Sequence, residues 1–61
     1  MKYILWKDFF YGWCITDKAN YECRVRNNFR IIKLKDCESV DDALSYAIFL
    51  GLPQEDIIII D

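Results

Sequence analysis

Residues 57–60 are four consecutive isoleucines, bracketed by Asp56 and Asp61. A β-branched run like this favours a strand, and successive strand side chains point to opposite faces of a sheet. The run therefore wants apolar cover on both faces, and one packed layer supplies only one. Just before it lies the best-marked helix in the sequence. Ser39 is placed to cap that helix, and Asp42 three residues on makes an aspartate version of the capping box. Asp41 and Asp42 fall in the first turn, where the helix dipole favours anions. Val40, Ala43, Leu44, Ala47 and Ile48 recur at three- and four-residue spacing, which builds one apolar stripe. Gly51 ends the helix, Leu52 is placed to pack back on it, and Pro53 forbids continuation.

The segments upstream read as strands. Residues 2–6 (KYILW) and 9–16 (FFYGWCIT) are aromatic and β-branched, with a tight turn expected at Lys7-Asp8. Residues 21–26 (YECRVR) alternate apolar with charged, the period of a half-buried strand. Asn27-Asn28 suits a two-residue turn, after which residues 29–35 (FRIIKLK) return. The expected architecture is an α+β fold of order β-β-β-β-α-β. It is a four-stranded antiparallel meander with one helix packed on one face and a short C-terminal strand, forming a single domain over residues 1–61. Strand parity then assigns Ile4, Trp6, Phe9, Tyr11, Trp13, Ile15, Tyr21, Cys23, Val25, Ile32 and Leu34 to the helix-covered face. Tyr3, Leu5, Phe10, Arg24, Arg26, Phe29, Ile31, Lys33 and Lys35 are expected together on the uncovered face. An exposed apolar patch of that kind usually marks an interface.

Catalytic chemistry finds little footing. The chain has no histidine; Ser39 and Ser45 are assigned to a helix cap and a helix face. Cys37 precedes the helix and follows Lys35, which would favour a thiolate, but Asp36 and Glu38 flank it and oppose ionisation. Gly12 and Gly51 stand alone, so no phosphate-cradling loop is formed. Asp41, Asp42, Glu55, Asp56 and Asp61 lack the spacing of a calcium loop. No enzymatic activity, cofactor or metal is expected. Three cysteines without a CxxC pair read as reduced, buried thiols. The start, MKYILWKDFF, lacks the long apolar stretch of a signal peptide, and no segment reaches the roughly 20 apolar residues of a membrane span. A cytoplasmic location is expected.

Charge is unevenly placed. Residues 1–35 hold eight basic and three acidic side chains, whereas residues 36–61 hold seven acids and no base, for a net charge of −2. Such asymmetry hints at polar binding surfaces. The leading expectation is a small non-catalytic protein-interaction module with two surfaces, the apolar and cationic sheet face and an acidic edge of Asp41, Asp42, Glu55 and Asp56. Ile, Lys, Asn, Tyr and Phe supply 25 of the 61 residues, a bias that AT-rich coding produces. It associates the chain with phage or mobile-element inhibitors of host defence proteins that process nucleic acid, acting in the host cytoplasm. An obligate homodimer is another expectation, because a chain this short buries only about 60% of its unfolded surface.

A further alternative is nucleic-acid binding through the basic and aromatic sheet face. The three-strand-then-helix order from Tyr11 to Leu50, with the helix opening Ser39-Val40-Asp41-Asp42-Ala43, resembles the AP2-like arm-binding domains of phage integrases. That resemblance implies a sheet laid in the major groove.

Overall fold

The computed structural model describes residues 2–27 and 30–60. Among them the chain forms β1 (Tyr3–Asp8), β2 (Gly12–Asp17), α1 (Lys18–Asn27), β3 (Ile31–Cys37), α2 (Val40–Phe49), a 3-10 turn (Gln54–Asp56) and β4 (Ile58–Ile60). The sheet order is β3-β1-β2-β4. β1 is antiparallel to both β2 and β3, while β4 lies parallel to β2, with Cys14 opposite Ile58 and Thr16 opposite Ile60. The α+β class holds, but the antiparallel meander does not: the sheet is mixed and carries two helices.

The largest correction falls on residues 21–26, which are helical. Asp17 closes β2, and its Oδ1 accepts the Asn20 backbone N–H at 2.7 Å, an N-cap bond that opens α1. Lys18, Ala19, Glu22, Arg24 and Arg26 are good helix formers, and Arg24 and Arg26 sit in the last turn, where cations suit the dipole. In a helix, Tyr21, Arg24 and Val25 share a stripe and Cys23 leaves it. Tyr21 alone is half-buried, while Cys23 and Val25 are exposed. The strand order on which the resemblance to the integrase arm-binding domains rested is therefore absent. Of the expected Asn27-Asn28 turn, Asn27 ends α1 and Asn28 lies outside the described residues.

The two helices cover opposite faces. Leu5 and Ile15, fully buried, meet Ala43 and Ala47 of α2; the small alanines let the helix lie close to the sheet. Ile4, Trp6 and Cys14 point the other way and pack with Tyr21 of α1 and Ile31. Trp6 and Tyr21 meet edge-on, with ring centroids 5.9 Å apart, and the buried Trp6 indole N–H donates to Thr16 Oγ1 at 3.0 Å. Along β3 the register slips by one residue between the Leu5–Lys35 and Trp6–Lys33 pairs. This bulge turns Leu34 toward the α2 core, whereas Ile32, expected inside, is exposed.

The downstream helix forms as its sequence dictates. Ser39 Oγ accepts the Asp42 N–H at 3.1 Å. At the other end Gly51 N–H reaches the Ile48 carbonyl and Leu52 N–H the Ala47 carbonyl, a Schellman closure. It needs positive φ at Gly51, which adopts +78°. No helix among the described residues is long and apolar enough to cross a membrane.

Candidate partner-binding surface

The turn between β1 and β2 is three residues long, not the expected two at Lys7-Asp8. Lys7 and Asp8 belong to β1, and Asp8 pairs with Gly12. Phe9, Phe10 and Tyr11 therefore leave the strands and form the hairpin tip. They are 58%, 82% and 62% exposed, so Phe9 and Tyr11 are not core residues. Gly12 adopts φ +98° to resume the strand, a conformation that a Cβ disfavours.

The tip is held from below by Asp8. This carboxylate is buried, and its Oδ1 accepts the Phe10 N–H at 2.7 Å and the Tyr11 N–H at 3.4 Å. Charge-assisted bonds of this kind fix a loop geometry. The Phe9 N–H donates to the Arg30 carbonyl at 3.1 Å, which ties the tip to the approach of β3. The Phe10 and Tyr11 rings meet edge-on at 4.9 Å. Lys7 Nζ lies 5.4 Å from the Phe9 ring centroid and 4.9 Å from that of Trp13, within cation–π range. Arg24, in the last turn of α1, lines a cleft together with Tyr11. One end of the sheet thus gathers three exposed aromatics and the cations Lys7, Arg24 and Arg30.

The residues expected on one open face are dispersed. Leu5 is fully buried under α2, Tyr3 packs half-buried on the same core, and Ile31 is half-buried on the α1 side. Arg24 and Arg26 ride on α1. Lys33 pairs with Asp36 at 3.1 Å, and Lys35 Nζ sits 5.0 Å from the Tyr46 ring centroid on the α2 side. Phe10 is at the tip, and Phe29 lies outside the described residues. The expected uncovered face does not exist: α2 lies over Leu5 and Tyr3, and α1 lies over the opposite face beside Ile31.

The acidic edge divides in the same way. Asp41 and Asp42 open α2, which follows Cys37 at the Tyr3 end of the sheet. Glu55 and Asp56 precede β4, which starts beside Cys14 near the hairpin end. A second exposed apolar group, Ile48, Phe49 and Leu50, lies at the end of α2.

The two buried thiols, Cys14 and Cys37, are not activated. Cys14 and Cys37 are buried, and Cys23 is exposed. Burial pushes the Cys14 thiol above its ordinary value, and Asp8 adds to this against Arg24. Burial likewise raises Cys37; Lys35 opposes it, and Asp42 and Asp36 reinforce it.

No family model, curated protein or solved structure matches this chain. The functional reading rests on its own surfaces.

Phe10 is expected at a binding surface, but on a sheet face and not in a turn, because aromatic residues at 9–11 are strand formers. The signal for the turn is Asp8 before a glycine-closed loop, since aspartate readily accepts backbone N–H groups two or three residues on.

Proposed function

We propose that this chain is a small non-catalytic protein-binding module that seats its aromatic hairpin tip in an apolar recess of a partner protein rimmed by acids. The carrying observation is the buried Asp8 carboxylate committed to holding Phe10 and Tyr11 in an exposed loop. A preorganised loop loses little entropy on docking, and aromatic anchors commonly dominate interface energies. Lys7 and Arg24 beside the tip favour an acidic rim. An inhibitor of a nucleic-acid-processing host protein is one form such a module takes, a reading supported by composition and charge alone.

The test is nuclease-treated affinity capture from source-cell lysate with three baits. Wild-type protein and Phe49→Ser, altered on the other exposed apolar group, should retain the same protein; Phe10→Ala should lose it. Retention by all three baits, or loss on nuclease treatment, overturns the reading, and the latter outcome transfers the surface to nucleic acid.

Self-association is a second reading, favoured by β4. It is an edge strand with Ile58 and Ile59 exposed, and its residues include no lysine or proline, the usual edge guards. Sedimentation at two concentrations tests it: a mass that doubles supports a dimer, and a constant monomer mass removes it.

A further inference from the structure

The isoleucine run wants cover on two faces, and the structure meets that demand unevenly. α1 packs against β1 and β2. On the α1 face, Ile58 and Ile60 stand beside Cys14 and Thr16 at the sheet margin. Between α1 and β4 this leaves a cleft of about 270 Å³ lined by Trp6, Tyr11, Cys14, Arg24, Ile58 and Ile60. Its floor is apolar, with Trp6 and Cys14 almost wholly buried. Arg24 is the one charged residue of the lining, and it makes no ion pair among the described residues. Asp8, the acid that acts on Cys14, has its Oδ1 engaged by the Phe10 and Tyr11 N–H groups. The cleft therefore offers apolar walls and one unmatched cation.

We infer that this cleft binds a small amphipathic anion, an unbranched alkyl carboxylate whose tail lies on Trp6, Ile58 and Ile60 and whose carboxylate pairs with Arg24. The guanidinium fork suits a carboxylate, and concave apolar sites with one placed polar group are the usual form of small-molecule pockets. At about 30 Å³ per water-sized group the space holds roughly nine such groups, which matches a chain of about eight carbons. This site does not rest on the partner reading, although Tyr11 and Arg24 border both.

The experiment is an NMR titration with octanoate, kept below its micelle-forming concentration, alongside 1-octanol and octyltrimethylammonium. Octanoate should shift the Trp6 indole N–H and the Ile58 and Ile60 methyl resonances saturably. Octanol should bind about tenfold more weakly, as loss of one charge-assisted pair implies, and the ammonium should not bind. Arg24→Gln, on an exposed helix position, should lower octanoate affinity to that of octanol, while Arg26→Gln leaves it unchanged. Equal affinity for octanoate and octanol, an unaltered Arg24→Gln variant, absence of any shift, or shifts as large at Ile48 and Phe49 would each overturn the assignment.

Discussion

Asp8 shows how one side chain sets a surface. Its carboxylate is buried, and its Oδ1 accepts two N–H groups from the loop above it. Replacing it with alanine leaves those donors unmatched, and such losses cost about 1–3 kcal/mol. Asp8→Ala should lower the urea midpoint accordingly and broaden the amide resonances of Phe10 and Tyr11; an unchanged midpoint with sharp tip resonances would refute the role assigned here. The thiols give a second test at this scale. Cys23 is exposed while Cys14 and Cys37 are buried, so a thiol reagent should label one site rapidly in native protein and all three in denaturant. The two buried thiols hold their protons above the ordinary value of 9.0. The unfolded chain therefore loses these protons first as pH rises, and the associated stability, complete below about pH 9, declines above it. Cys14→Ala should flatten this alkaline decline, read from denaturation midpoints between pH 8 and about 11.

Among the elements, α1 is the lightest fixture. It has no buried residue and is held chiefly by the Tyr21 ring on Trp6 and by the Asp17 cap. Asp17→Ala should cost about 1 kcal/mol, the usual worth of an N-cap. The same change should speed hydrogen exchange in α1 more than in β1, because weakly packed elements open before the core. Equal acceleration in both would mean that α1 unfolds only with the whole domain. The same thinness explains why α1 was hard to read in the sequence. Six residues alternating apolar and charged satisfy a strand, and Tyr21, Cys23 and Val25 look like an inward face. A helix this polar has no 3.6-residue stripe to contradict that pattern. What decides for helix is local: the Asp17 cap and the helix formers around it. By contrast α2 was legible throughout, because Ser39, the alanines and Gly51 each act within one element. Mistaking α1 for a strand left one sheet face bare and put Ile31 on it, whereas Leu5 and Tyr3 were misassigned for another reason: α2 covers the opposite face of β1 from the one expected. Phe10 remained exposed for a different reason, its place in the turn. The parallel pairing of β4 with β2 depends on a crossover between distant segments, which no local pattern encodes.

At the scale of the molecule, the Cα radius of gyration of 10.4 Å agrees with about 10.5 Å for a compact chain of this length. A closed unit of this kind has a fixed charge layout. Arg24 and Arg26 end α1 on the hairpin side, where β3 begins opposite Asp8, and Asp41 and Asp42 open α2 at the far end of the sheet. If the tip docks first, cations beside it should steer the encounter, whereas acids at the far end should matter little. Exposed charges act over a Debye length of about 8 Å at physiological salt, and their removal alters association more than dissociation. Arg24→Glu with Arg26→Glu should therefore slow association with the captured partner about tenfold or more at low salt, the lower end of the range for steering. It should also remove most of the salt dependence of the rate. Asp41→Lys with Asp42→Lys should leave that rate near wild type while lowering stability by about 1 kcal/mol through the helix start. Stopped-flow association at two ionic strengths, paired with urea denaturation, measures both effects. Equal slowing by the two pairs would show that the partner spans the whole sheet, and the hairpin tip would lose its place as the leading contact.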